Sequence, residues 1–205
     1  MTSVYDLKPR FQSLLRPIAT RLVRAGVKPN HLTFAAVVGS IAVGAFLAGA
    51  GPLRIAFLLL PAWFLLRMAL NAIDGMMARE HRLASNLGAV LNELGDVVAD
   101  VALFLPLARL APGAAWAAIA FALVAVLSET CGILAQALGA GRRYDGPMGK
   151  SDRALLVGLM GLVAALWPAT TAAWWILLAA GAVLGVWTCV NRIRMALRVL
   201  AEPGL

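Results

Sequence analysis

Six runs of apolar residues, each close to the length that crosses a bilayer, leave this chain few ways to fold. They lie at about 31–50, 53–79, 87–110, 113–138, 153–168 and 170–198 of a 205-residue sequence. A span needs roughly 20 predominantly apolar residues. Hydrophobic residues make up 61% of the chain, against about 45–50% in soluble domains. In hydrocarbon every backbone polar group must be satisfied within the protein, so runs of this length are read as helices. Residues 4–25 differ: Phe11, Leu14, Leu15, Ile18 and Leu22 recur at helical spacing among Lys8, Arg10, Arg16, Arg21 and Arg24. That pattern predicts an amphipathic helix lying in the membrane interface. The expected fold is therefore all-α and polytopic: an interfacial amphipathic segment over 1–30, then a six-helix transmembrane domain over 31–205. Gly39, Gly44, Gly158, Gly161, Gly181 and Gly185 are expected to let helices approach closely.

The formal charge is +8. The basic residues sit at the ends of apolar runs, where topology and anionic headgroups account for them without nucleic acid. Fifteen of the eighteen Lys and Arg fall in the N-terminal segment, the 79–82 turn, the 142–153 loop and the 192–198 tail. Both termini and the 79–82 turn are thus expected on the cytoplasmic side, in a bacterium the inner membrane. The N-terminus has no apolar h-region and does not read as a signal peptide. Cys131 and Cys189 lie in apolar runs and read as small packing residues. Most of the tryptophans lie near span ends as interface anchors, and His31 and His81 read as interfacial.

Against this background the stretch Asn71–Asp100 stands out. Carboxylates at membrane depth are costly and usually functional. On one helix Asn71 and Asp74 share a face; on the next, Gly88, Asn92, Asp96 and Asp100 recur every four residues, flanked by Glu93. Two antiparallel helices joined by a short turn would face these oxygens toward each other. Hard oxygen donors suit magnesium, manganese or calcium, and magnesium commonly bridges to substrate phosphates.

These residues carry a resemblance. The stretch is similar to the signature of the CDP-alcohol phosphotransferase (CDP-alcohol phosphatidyltransferase) family, Asp-x2-Asp-Gly-x2-Ala-Arg-x8-Gly-x3-Asp-x3-Asp. Asp74, Gly75, Ala78, Arg79, Gly88 and Asp96 match it, VKPNHLT at 27–33 resembles the segment before that family's first span, and MGKSDRAL at 148–155 resembles the opening of its fifth. The resemblance implies transfer of a phosphatidyl group from CDP-diacylglycerol to the hydroxyl of a small polar acceptor, releasing CMP, by a homodimer among membrane lipids. It implies one or two Mg2+ or Mn2+ ions held by Asn71, Asp74, Asn92 and Asp96. Asp96 would also be the general base. Asp74, Gly75, Ala78, Arg79 and Gly88 would line the CDP site, with Pro29, Asn30 and Thr33 as further candidates.

The sequence departs from the pattern at two positions, where Asn71 and Asn92 replace aspartates. Three readings stay open: Glu93 or Asp100 restores the missing charge; the site works with one metal; or the chain is a catalytically weak or inactive relative that binds CDP-lipid or nucleotide. A small transporter is a more distant alternative, because it gives the Asp-Gly-x2-Ala-Arg sequence no role. Lys150 and Arg153, with Arg142 and Arg143, are candidates for an acceptor's phosphate, since arginine offers a bidentate fork. Glu129 is expected to be a buried acid paired with a base such as Arg67. Asp100 reads as either a packing partner or a spare ligand, and Asn191 as a packing hydrogen bond.

Overall fold

The computed structural model describes residues 4–201, and within 4–10 and at Pro112 the backbone alone. The ends of the two expected segments, 1–3 and 202–205, lie outside the described residues, as do the side chains of Lys8 and Arg10. The elements are α1 (Val4–Arg24), α2 (Pro29–Ala50), α3 (Arg54–Glu80), α4 (Asn86–Phe104), the single turn α5 (Leu107–Leu110), α6 (Ala115–Ala137), α7 (Lys150–Leu166) and α8 (Trp174–Ala201). Short 3-10 turns precede α6 and α8.

Local sequence sets the helix starts. Pro29 opens α2, where its missing N–H costs nothing, and the Lys28 N–H donates to His31 Nδ1 at 3.4 Å. Ser85 caps α4 by accepting the Gly88 N–H at 3.0 Å. Asp152 accepts the Gly149 N–H at 2.9 Å where α7 begins.

By length and composition, α2, α3, α6 and the segment Pro168–Ala201 that contains α8 can cross a membrane. The other two expected spans are helices of a different character. α4 carries Glu93, Asp96 and Asp100, and α7 has 17 residues. Both still present large apolar side chains outward, Leu87, Val90, Leu94 and Val98 on α4 and Leu155, Leu159 and Leu162 on α7.

The helices pair as α6 with α8, α2 with α4 and α3, α3 with α7, and α4 with α6. The main core runs through Phe57, Leu60, Phe64, Leu103, Phe104, Phe121 and Trp174, with Phe104 and Phe121 edge-to-face at 5.0 Å. The six glycines sit where neighbouring helices come closest. A Cβ on Gly44 would collide with the Ala102 carbonyl of α4, and one on Gly161 would meet the Phe57 carbonyl of α3 at 2.7 Å. Gly39, Gly158, Gly181 and Gly185 likewise face Trp63, Pro61, Phe121 and Val124. Ala19 of α1 is buried against Ile73, Met76 and Met77 of α3, with Leu15, Leu22 and Val23 alongside, while Leu14 and Ile18 point away and are exposed. This contact fixes α1 beside the C-terminal half of α3, the half that carries the polar motif. Cys131 and Cys189 are both free.

Candidate active site

Helical spacing places Asn71 and Asp74 on one face of α3, about two turns before its end at Glu80. The α3–α4 turn then brings the matching face of α4 across. Asn71 Nδ2 donates to Asp96 Oδ1 at 3.3 Å. The same oxygen accepts Arg67 Nη2 at 3.3 Å and the ammonium of Lys150. Asp74 is buried, its Oδ2 accepts the Thr33 hydroxyl at 2.8 Å, and it lies within electrostatic reach of both Lys150 and Asp96. Asn92 lies one turn before Asp96 on α4 and is half-buried.

The CDP candidates surround this cluster unevenly. Gly88 faces Asn30: a Cβ there would meet Asn30 Oδ1 at 2.6 Å. Arg79 folds back along α3, so a Cβ on Gly75 would meet its Nη2 at 3.0 Å. Pro29 and Thr33 are buried, whereas Ala78 is half-buried.

Behind the cluster lies a charged network inside the bundle. Arg67 Nη1 donates to Asp100 Oδ1 at 2.6 Å, and Arg153 Nη2 donates to Asp100 Oδ2 at 2.9 Å and to Glu129 Oε1 at 2.8 Å. Arg192 lies 3.6 Å from Glu129 and donates to the Ser128 carbonyl. Arg142 grips Glu93 through Nε and Nη2, at 3.0 and 2.8 Å, and reaches Glu129 Oε2 at 2.7 Å. Burial alone would lower the Arg142 pKa, but the bonds and charges of Glu93 and Glu129 outweigh it and hold the guanidinium above its usual value.

The network corrects one expectation: Glu129 does not pair with Arg67. Its partners are Arg142, Arg153 and Arg192, because α6 packs on α8 and α4, whereas Arg67 of α3 points at α4. It also locates the spare carboxylates. Both oxygens of Glu93 go to Arg142, and those of Asp100 go to Arg67 and Arg153. The four basic acceptor candidates are engaged as well: Lys150 with Asp96, Arg153 with Asp100 and Glu129, Arg142 with Glu93 and Glu129, and Arg143 with Asp145. Arg192 was missed among the site's neighbours. The sequence signal was there, a basic residue in an apolar run, but it was assigned to the cytoplasmic charge of the tail.

Among the described residues no three Asp, Glu, His or Cys side chains are grouped to hold a metal. A donor set built on Asp74 and Asp96 is completed by amide, water or phosphate oxygens. Asp74 and Asp96 with the amide oxygens of Asn71 and Asn92 suit a hard divalent cation, since all are oxygen donors.

A bundle with, among the described residues, four helices long and apolar enough to cross a membrane, and with hard oxygen donors gathered near a short turn, defines a membrane protein with a candidate site for a divalent cation. The family model for CDP-alcohol phosphatidyltransferase matches residues 27–187, and the chain belongs to that family. It is 45% identical over 200 residues to the inner membrane protein YnbA of Escherichia coli K12, covering 98% of this chain and 99% of YnbA. It is 30% identical over 210 residues to phosphatidylinositol phosphate synthase of Mycobacterium tuberculosis H37Rv, covering 95% and 89%. Two crystal structures of the M. tuberculosis synthase share the fold. One, with CDP-DAG bound, has a TM-score of 0.75 at 24% identity, covering 94% of this chain and 96% of that one. The other, in complex with manganese and citrate, has a TM-score of 0.76 at 24% identity, covering 93% and 90%.

Proposed function

We propose that this protein transfers the phosphatidyl group of CDP-diacylglycerol to the hydroxyl of a small polar acceptor, with CMP as the second product. The observation that carries the reading is the Asn71–Asp96 hydrogen bond between α3 and α4, with Asp74 on the same face of α3 and within electrostatic reach of Asp96, in a chain of this family. The acceptor oxygen bonds to the phosphatidyl phosphorus, and the bond from that phosphorus to the oxygen bridging to CMP breaks. Asp96 is the group proposed to take the acceptor's proton. Its Oδ1 holds three donors, and among the described residues its Oδ2 takes no hydrogen bond. Asn71, Asp74, Asn92 and Asp96 would hold Mg2+ or Mn2+, whose charge would offset that of the pyrophosphate and the departing CMP. Gly75, Ala78, Arg79, Gly88, Pro29, Asn30 and Thr33 are assigned to the CDP moiety. That a relative's structures hold CDP-DAG and manganese supports the donor and the divalent metal.

The same reading has α4 and α7 crossing the membrane with the four more apolar segments, and α1 lying in the interface. Both termini would be cytoplasmic, in the inner membrane, and the unit a homodimer. The outward apolar faces of α4 and α7 support their contact with lipid. Lys150, with its side chain 32% exposed, is the member of the basic set best placed to meet an acceptor. Arg153, 2% exposed, is assigned instead to holding α4, α6 and α7 together.

The test is CMP release from CDP-diacylglycerol by the purified protein, with Mg2+ or Mn2+, across glycerol phosphate, inositol phosphate, serine, ethanolamine and choline. Acceptor-dependent CMP that disappears in Asp96→Asn is expected. CMP with no acceptor, metal or variant dependence removes the transferase reading. Absence of CMP with retained CDP-lipid binding replaces it with an inactive relative.

A further inference from the structure

We propose that the ammonium of Lys150 is a built-in cation of this site, so that each protomer binds one divalent ion rather than two; the inference rests on the transferase reading and deepens it. The argument starts from charge. Of the four candidate donor side chains on α3 and α4, only Asp74 and Asp96 are anionic, because Asn71 and Asn92 are amides. The nearest further carboxylates are already neutralised. Glu93 gives both oxygens to Arg142, and Asp100 gives its two to Arg67 and Arg153. The cluster therefore offers two negative charges, and Lys150, bonded to Asp96, cancels one. Two divalent ions would leave a large uncompensated positive charge in a partly buried site, where like charges repel strongly.

Lone pairs lead to the same count. A carboxylate that bridges two metal ions through its two oxygens needs a lone pair free on each. Asp96 Oδ1 has two lone pairs and three donors, from Lys150, Arg67 and Asn71. Asp74 Oδ2 gives one lone pair to Thr33 and keeps the other. Asp96 can offer only Oδ2, so it cannot bridge a pair of ions in that mode, and with Asp74 and the two amide oxygens it makes a donor set for a single hard cation that completes its shell with water or phosphate. Lys150 is the first residue of α7, so its approach to Asp96 is set by how α7 docks.

The experiment counts metal without needing turnover. Mn2+ binding to the purified full-length protein is followed by electron paramagnetic resonance and by calorimetry, with CMP present. One Mn2+ per chain, giving the spectrum of an isolated ion, is expected. Two ions per chain with the spectrum of a coupled pair overturn the proposal. In Lys150→Met, loss of the like charge should tighten Mn2+ at least threefold; unchanged or weaker affinity also overturns it. The triple variant Asn71→Asp, Asn92→Asp, Lys150→Met should bind two ions. If it binds one, Lys150 and the amides are not what limits the count, and the proposal fails. CMP release is measured in parallel. Turnover with two ions sinks only this inference, whereas no metal and no CMP sinks the transferase reading with it.

Discussion

Arg153 of α7 and Asp100 of α4 meet at 2.9 Å with side chains 2% and 3% exposed. Neither helix borders the other closely, so the pair acts through reach rather than backbone packing. Arg153 also donates to Ser128 and Glu129 of α6 and to the Met148 carbonyl. One guanidinium thus joins three segments whose apolar faces alone, in lipid, have little reason to choose each other.

Truncating Arg153 should therefore be costly. Removing one partner of a buried ion pair leaves an uncompensated charge and typically costs about 3–5 kcal/mol. Arg153→Met should lower the unfolding midpoint in lipid nanodiscs sharply. Asp100 keeps Arg67, so in a double variant with Asp100→Asn the Arg153–Asp100 contact is lost only once and the combined loss should be smaller than the sum of the two singles. A double variant as unstable as the sum of the two singles would contradict this account.

Gly44 makes a second prediction that involves no charge. Its α-carbon lies against the Ala102 carbonyl of α4, so an added Cβ collides with backbone, which cannot rotate away as a side chain can. Overpacking of this kind costs about 1–3 kcal/mol. Gly44→Ala should lower thermal stability and, by pushing α4 from α2, reduce CMP release. Gly49→Ala, at a position with open space around it, should do neither.

The glycines at helix crossings and the α3–α4 face were legible in sequence, because each depends on residue size or on 3.6-residue periodicity within a hairpin. Asn71 facing Asp96 is an instance: spacing on two adjoining helices, joined by a short turn, sets it. The partners of Glu129 were not legible. Periodicity states which way a side chain points from its own helix, but not which helix stands there, and apolar helices in a bundle carry few signals of neighbour choice. Arg192, far along the chain, and Arg142, in the next loop, reach Glu129 because α6 lies on α8 and the α6–α7 loop folds back over it. In that fold Gly146, at φ +126°, packs on Thr188. The same limit hid that Glu93 and Asp100, which read as spare ligands, are spoken for by guanidinium groups.

That engagement of Glu93 yields a discriminating prediction. If its carboxylate serves Arg142, then Glu93→Gln should leave Mn2+ affinity within about twofold while loosening the α4–loop contact. Bonds to charged groups contribute about 1.5–3 kcal/mol when buried. Glu93 is 27% exposed and Arg142 12%, so solvent screening reduces the expected cost to about 1 kcal/mol. A tenfold or larger loss of Mn2+ affinity with unchanged stability would return Glu93 to the metal's donor set.

Thr33 gives the last prediction, because the structure offers it a role that the resemblance does not. Its hydroxyl donates to Asp74 Oδ2 at 2.8 Å and lies 3.3 Å from the Pro29 carbonyl one turn back. The bond ties the start of α2 to the carboxylate and fixes which Asp74 oxygen faces the site. Groups that orient a metal's ligands typically change affinity or activity by about 10–100-fold when removed. Thr33→Val keeps the shape and deletes the donor, so it should weaken Mn2+ binding within that range even without CDP present. Thr33→Ser should restore most of the affinity. A residue that touched only the nucleotide would instead raise the KM for CDP-diacylglycerol and leave metal affinity as it was, and the two titrations separate these cases.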